Sequence, residues 1–170
     1  MSGILPRSKQ SRSYQTFVFD GWLGGFYASP NMQGTRSGLP LACALAVLSH
    51  LGVEGYVDLT RQTLHNADTF RAGVAEIDGI RVLGEGRFHL VAIAADPAFE
   101  PELDVFALGD ALLAKGWFHD RQGPPDSMHS TISNTNTGVI EDSLADLADC
   151  VAAVVGERTD DRSTNYATLE

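Results

Sequence analysis

The chain has 170 residues, 44% of them hydrophobic, enough for one core of ordinary size or for one small domain with a piece of another attached. A formal charge of -10 and an isoelectric point near 4.8 give an overall negative field, which argues against a nucleic-acid footprint or an anionic membrane surface as the main partner. Cys43 and Cys150 stand far apart, with no CxxC pair and no Cys/His spacing suited to zinc, so neither a metal site nor a disulfide framework is expected, and a reducing cytoplasm is.

Met1 to Arg12 is polar and contains Pro6, so it lacks the continuous apolar stretch of a secretory signal. Phe17, Val18 and Phe19, just after Tyr14-Gln15, read as a short strand running into a loop. That loop carries Gly21, Gly24, Gly25, Gly34 and Gly38 with Pro30 and Asn31, a density that resists regular structure and lets backbone approach another surface closely. It is either functional or a tight packing crossover. Pro40 suits a first helical turn with Ser37 or Gly38 as cap, and apolar side chains continue to Leu51, giving a buried helix too short to span a bilayer. Cys43 on this helix is expected in the core, and His50 packed or capped. A second helical pattern from Glu54, through Tyr56, Leu64, Ala67, Val74 and Ile77, ends at Asp78-Gly79, so the two form one long element bent at Gly52.

Ile80 to Leu83 and Phe88 to Ala94 read as strands separated by Gly84-Glu85-Gly86. Val105, Leu108 and Leu112 mark a helix capped by Asp104 and closed by Lys115-Gly116. Trp117 and Phe118 start an extended segment, Met128 to Ser133 alternates as a strand after Pro124-Pro125, and Gly138 to Gly156 is a last amphipathic helix. The polar stretch from Thr159 onward reads as a disordered tail. This order implies an α+β fold with helices on one face of a small, mostly antiparallel sheet.

A small α+β domain hosts many functions, so chemistry must come from local sequence. Gly24-Gly25-Phe26-Tyr27-Ala28-Ser29-Pro30 followed by Gly34-Thr35-Arg36-Ser37-Gly38 resembles the GG-x-YASP…GSRPG signature of sphingosine-1-phosphate lyases at the same internal spacing. His50-Leu51-Gly52-Val53-Glu54-Gly55-Tyr56-Val57 resembles the family's H-x-G-x-x-GYV segment. Ala114-Lys115-Gly116-Trp117 and Pro124-Pro125 with His129 follow its AKGW and PP…H stretches in order.

The resemblance implies the C-terminal part of a pyridoxal-phosphate-dependent enzyme of fold type I, in the group II decarboxylase family, whose cofactor lies between a large and a small domain of a homodimer. On that reading residues 1–38 end the large cofactor-binding domain with its Gly-rich active-site loop, residues 39–156 form linking helices and the small domain, and residues 157–170 are a disordered tail. Tyr27 is the catalytic candidate, a phenol able to hold or pass a proton, against an alternative as an aromatic packing plug. Thr35 would bring its hydroxyl to the cofactor phosphate, and Arg36 would pair with phosphate or carboxylate, or else lock the loop through backbone carbonyls. Ser37 stands where the family has Pro. His129 is expected as a neutral structural histidine at a domain seam; His65, His89 and His119 form no ligand spacing, so no metal is expected.

Pyridoxal-phosphate chemistry requires a lysine that holds the cofactor as a Schiff base, and the chain contains only Lys9 and Lys115. Lys115 falls in the AKGW match and Lys9 in the polar lead-in, so neither is a credible anchor, and the chain alone is expected to be inactive. Three functions follow. The first is a fragment of a carbon–carbon lyase that cleaves a phosphorylated amino alcohol, working as a homodimer or with a complementary large-domain chain. The second is a fragment of an amino-acid decarboxylase. The third is a non-catalytic dimerisation or interaction module. None calls for a nucleic acid or a membrane span.

Overall fold

The computed structural model describes residues 5–31, 34 and 36–167, and divides into two compact units, Met1–Val53 and Glu54–Glu170. The expected division at residue 38 falls earlier than this, because the helix that follows the Gly-rich loop groups with the loop.

The first unit opens with helix α1 (Lys9–Gln15), in the stretch that the sequence reading treats only as a polar lead-in. Ser8 starts it by accepting a hydrogen bond from the Ser11 amide at 3.0 Å. Strand β1 (Phe17–Phe19) pairs antiparallel with β2 (Tyr27–Ser29), in the register Phe17 with Ser29, Val18 with Ala28 and Phe19 with Tyr27. Part of the loop expected to be irregular is thus one arm of a hairpin. Helix α2 (Leu39–Ala75) begins at the Ser37 hydroxyl, which accepts from the Leu39 amide at 3.2 Å, so the serine caps the helix. Gly52, at φ 62 and ψ -174, interrupts α2 where the bend was expected.

The stretch Leu39 to Leu51 is exposed, not buried. Leu39, Leu41, Leu45, Val47 and Leu48 face solvent, as do Cys43 and His50. Among the described residues of that unit, Ser29 alone is buried. Helix α2 contains an 18-residue window of mean hydropathy 1.4, long and apolar enough to cross a membrane by length and composition alone. The break at Gly52 leaves a first segment of about 20 Å, short of a ~30 Å hydrocarbon core.

The second unit has a closed core. Its sheet, in the order β3-β4-β6-β5-β7, is built from β3 (Ile80–Leu83), β4 (Leu90–Ala95), β5 (Asp120–Gly123), β6 (Ser127–Thr131) and β7 (Tyr166–Ala167). Every pairing is antiparallel except β5 with β7, which matches the α+β expectation. Val91 and Ile93 of β4 alternate inward beside Met128 of β6. They join Phe70 and Val74 of α2, Phe106, Leu108 and Leu112 of helix α3 (Val105–Ala114), and Leu147 and Val151 of helix α4 (Ile140–Val154). A Cβ added at Gly73 would lie 2.3 Å from a methyl of Leu144, so α2 and α4 approach closely only because position 73 has no side chain.

Residues 157–167 fold as a strap, where a disordered tail was expected. Arg162 donates to Asp104 at 2.6 Å and pairs with Asp126, and its guanidinium lies 4.4 Å from the Phe106 ring centre. Arg121, with its side chain 11% exposed, stands 5.1 Å from the same ring and bonds the Phe106 and Asp161 carbonyls. Two cations on one aromatic ring, each tied to carboxylates, hold the strap down where composition alone suggests a solvated end. Burial pushes the Asp104 carboxyl up, but its bonds from Arg162 and from the Phe106 and Thr159 amides outweigh that and hold it below the usual carboxylate range.

Gly73→Ala is expected to destabilise the protein by about 1–3 kcal/mol through overpacking against Leu144. Urea denaturation followed by circular dichroism checks this, and the cost should largely disappear in the double variant with Leu144→Ala.

Candidate functional site

The hairpin turn is shaped by its two adjacent glycines. Gly25 has φ 82, a conformation other residues resist, and its amide bonds the Trp22 carbonyl at 3.3 Å. At Gly24 a Cβ would meet the Trp22 ring at 2.5 Å. The pair thus lets Trp22 fold back over its own turn, where it meets Tyr27 edge-on at 6.4 Å between ring centres; Phe17 lies 6.4 Å away on the opposite strand.

Tyr27 is held by these rings yet remains 41% exposed. Its hydroxyl has no hydrogen-bond partner among the described residues. It lines a cavity of about 600 Å³ with Gln15, Phe17, Ser29, Pro30 and Asn31. Ser29 shapes the cavity wall by donating to the Asn31 carbonyl at 2.5 Å and accepting from the Asn31 amide at 3.2 Å. The ring is therefore not buried among the described residues of this chain.

Arg36 is exposed and makes no hydrogen bond or ion pair with a described residue, so it does not lock the loop through described backbone. Thr35 lies outside the described residues.

The lysines do not fit covalent attachment of pyridoxal phosphate. Lys115 donates to Asp146 at 2.6 Å and to Asp149 at 3.3 Å, and the bond with Asp146 raises its pKa above the ordinary lysine value, the reverse of what a nucleophilic amine needs. The same carboxylate accepts from the Trp117 indole at 2.7 Å. The Ala114-Lys115-Gly116-Trp117 motif is therefore a helix stop: Lys115 ends α3, Gly116 turns the chain at φ 96, and Trp117 ties the exit to α4. Lys9 sits on exposed α1.

His129 lies on β6 opposite Asp120 and Ala92, with its ring edge-on to Tyr166 at 5.3 Å. Its buried Nδ1 is without a hydrogen-bond partner. His119, which carried no signal in the sequence beyond its lack of ligand spacing, is half-buried and bonds Ser130 Oγ through Nδ1 at 2.7 Å. Sequence reasoning also missed the Tyr166 contact, since β7 falls in the supposed tail.

No family model matches the chain. It is 32% identical over 153 residues to the sphingosine-1-phosphate lyase of Arabidopsis thaliana, an overlap covering 90% of this chain and 27% of the relative. It superposes on the sphingosine-1-phosphate lyase structure from Burkholderia pseudomallei with a TM-score of 0.76 at 30% identity, covering 86% of this chain and 32% of that one. The glutamate decarboxylase structure from Lactobacillus brevis shares the fold at 17% identity, with a TM-score of 0.73. The fold is that of the C-terminal portion of pyridoxal-phosphate enzymes of fold type I. Within that class the chain is sphingosine-1-phosphate lyase-like, similar to the C-terminal part of those lyases in the group II decarboxylase family, and it spans about a quarter of the length of the curated relatives it matches.

Burial, and next the neighbouring His129, lower the His119 pKa, with Asp120 pulling the other way. Folding thus favours the neutral imidazole, whose contribution to stability is present above about pH 6.5 and is lost as pH falls toward the folded value. Denaturation midpoints between pH 7 and 5 should fall less steeply in His119→Gln than in the wild type; parallel curves would contradict this.

Proposed function

We propose that this chain is the C-terminal part of a pyridoxal-phosphate-dependent carbon–carbon lyase that cleaves a phosphorylated amino alcohol, with the cofactor's lysine supplied by protein other than these 170 residues. The observation that carries the reading is the combination of a free Tyr27 hydroxyl on a glycine-shaped hairpin with 30% identity to a solved sphingosine-1-phosphate lyase across 86% of the chain. The lyase reading is favoured over the amino-acid decarboxylase because the likeness to the Arabidopsis thaliana lyase, 32% identity over 90% of the chain, exceeds that to the L-aspartate decarboxylase of Thermococcus kodakarensis, 25% over 68%.

In this account Tyr27 holds or passes a proton at the reacting end of the substrate. Its ring is fixed by Phe17 and Trp22 while its oxygen stays uncommitted. Thr35 and Arg36 would hold the cofactor phosphate, the threonine as a hydroxyl donor and the arginine as a charged fork. The exposed apolar side chains of the hairpin and of α2 before Gly52 are the surface on which the cofactor-bearing domain, or a second copy of the chain, packs.

Two measurements test this. The purified chain, incubated with pyridoxal phosphate and reduced with borohydride, should show no stoichiometric lysine adduct by mass spectrometry; such an adduct on Lys9 or Lys115 would overturn the account. Co-expression with the N-terminal portion of the Burkholderia pseudomallei lyase should restore cofactor absorbance and cleavage. In that complex Tyr27→Phe should lower kcat by about 10²–10⁴-fold with cofactor binding retained.

A further inference from the structure

Charge is unevenly distributed along the chain. Residues 1–53 hold four cations, Arg7, Lys9, Arg12 and Arg36, against the single anion Asp20, which leaves eight of the 12 Lys and Arg and 21 of the 22 Asp and Glu to the remainder. Three of those four cations line one cavity of about 510 Å³ on the flank of α1, and no acidic side chain lines it. Lys9, Arg12 and Gln15 recur at intervals of three and so share a helix face, with Arg7 just ahead of the helix.

The cations of the second unit behave differently. In the cavity beside α3, Arg162 is neutralised by Asp104 and Asp126, and Arg158 by Glu102. The side chains of Arg7, Lys9 and Arg12 make no ion pair or hydrogen bond with any described residue. Like charges gathered around a hollow repel one another, and an anion bound there would relieve the repulsion while receiving donors from two guanidinium forks and an ammonium.

The cavity has a neighbour. Gln15, Pro30 and Asn31 line both it and the Tyr27 cavity, so the two hollows are contiguous within one unit. A ligand with its anionic end among the three cations would extend its other end toward the Tyr27 hydroxyl.

We infer that the Arg7, Lys9 and Arg12 cavity is a subsite for a phosphate monoester dianion, which directs the rest of the ligand toward Tyr27. The inference rests on the lyase reading only for what carries the phosphate. The cluster itself, set in a chain of net charge -10, favours an anion of high charge density in either case.

The full chain is titrated with inorganic phosphate, O-phosphoethanolamine and ethanolamine at constant ionic strength, with α1 amide shifts followed by NMR. Phosphate and O-phosphoethanolamine should bind and ethanolamine should not, and Arg12→Glu should weaken both by about tenfold or more. Arg61→Glu, which removes an exposed α2 cation paired with Asp58, should leave binding unchanged. Equal affinity in wild type and Arg12→Glu, binding of ethanolamine, or binding of phosphate without O-phosphoethanolamine would overturn the subsite. The cations concerned are exposed, so their substitution removes no packing.

In the co-expressed complex, Arg12→Glu should raise KM for the phosphorylated substrate about tenfold and leave kcat nearly unchanged. An active complex indifferent to Arg12→Glu would sink the subsite and keep the lyase reading. An inactive complex whose phosphate binding is still lost in Arg12→Glu would sink the lyase reading and keep the subsite.

Discussion

A two-stranded hairpin of three-residue strands and a lone apolar helix cannot stabilise themselves in water, and the first unit consists of little else. Phe17, Trp22, Phe26, Leu39, Leu41 and Leu45 all lie open to solvent, where each Å² of apolar surface forgoes roughly 25 cal/mol of burial. The local geometry is nevertheless specified: Gly24 admits the Trp22 ring, Gly25 makes the turn, and the rings fix Tyr27. This is a surface whose conformation is set locally and whose stability, in the function proposed, comes from covering protein. That distinction underlies the whole functional proposal.

The second unit shows the complementary case. Its core closes around Phe70, Phe106, Ile93 and Leu147, and its polar ties reach from element to element. Asn66 of α2 donates to the Ser133 carbonyl and to the Thr137 hydroxyl at 2.8 and 2.9 Å, anchoring the helix to the segment before α4. Asp146 gathers Lys115 and Trp117, and Phe106 carries both Arg121 and Arg162. The second unit is thus a body whose core and polar ties are supplied by its own residues.

Much of the fold was legible because the signals were local. The β1 strand, the α3 cap at Asp104, the stop at Gly116 and the break at Gly52 each follow from the residues at those positions. What failed depended on distant partners. Leu39 to Leu51 reads as a core helix because apolar periodicity cannot say which molecule supplies the core. The strap reads as a free tail because its restraint comes from Phe106, Asp104 and Asp126, far away in sequence. The β2 strand is masked by glycines that serve the turn and not the strand. Of the candidate site, Tyr27 could be found through its motif, whereas the basic face of α1 carried no motif and emerged only when the helix placed Lys9 and Arg12 together.

The most direct test is hydrogen exchange on residues 17–29 and 39–51, measured in the full chain alone and after co-assembly with the N-terminal portion of the Burkholderia pseudomallei lyase. The account predicts fast exchange in the chain alone and strong protection in the assembly, with the Glu54–Glu170 unit already protected in both. Equal protection of the hairpin and of the first α2 segment in the monomeric chain would contradict it, because those residues would then possess a core of their own.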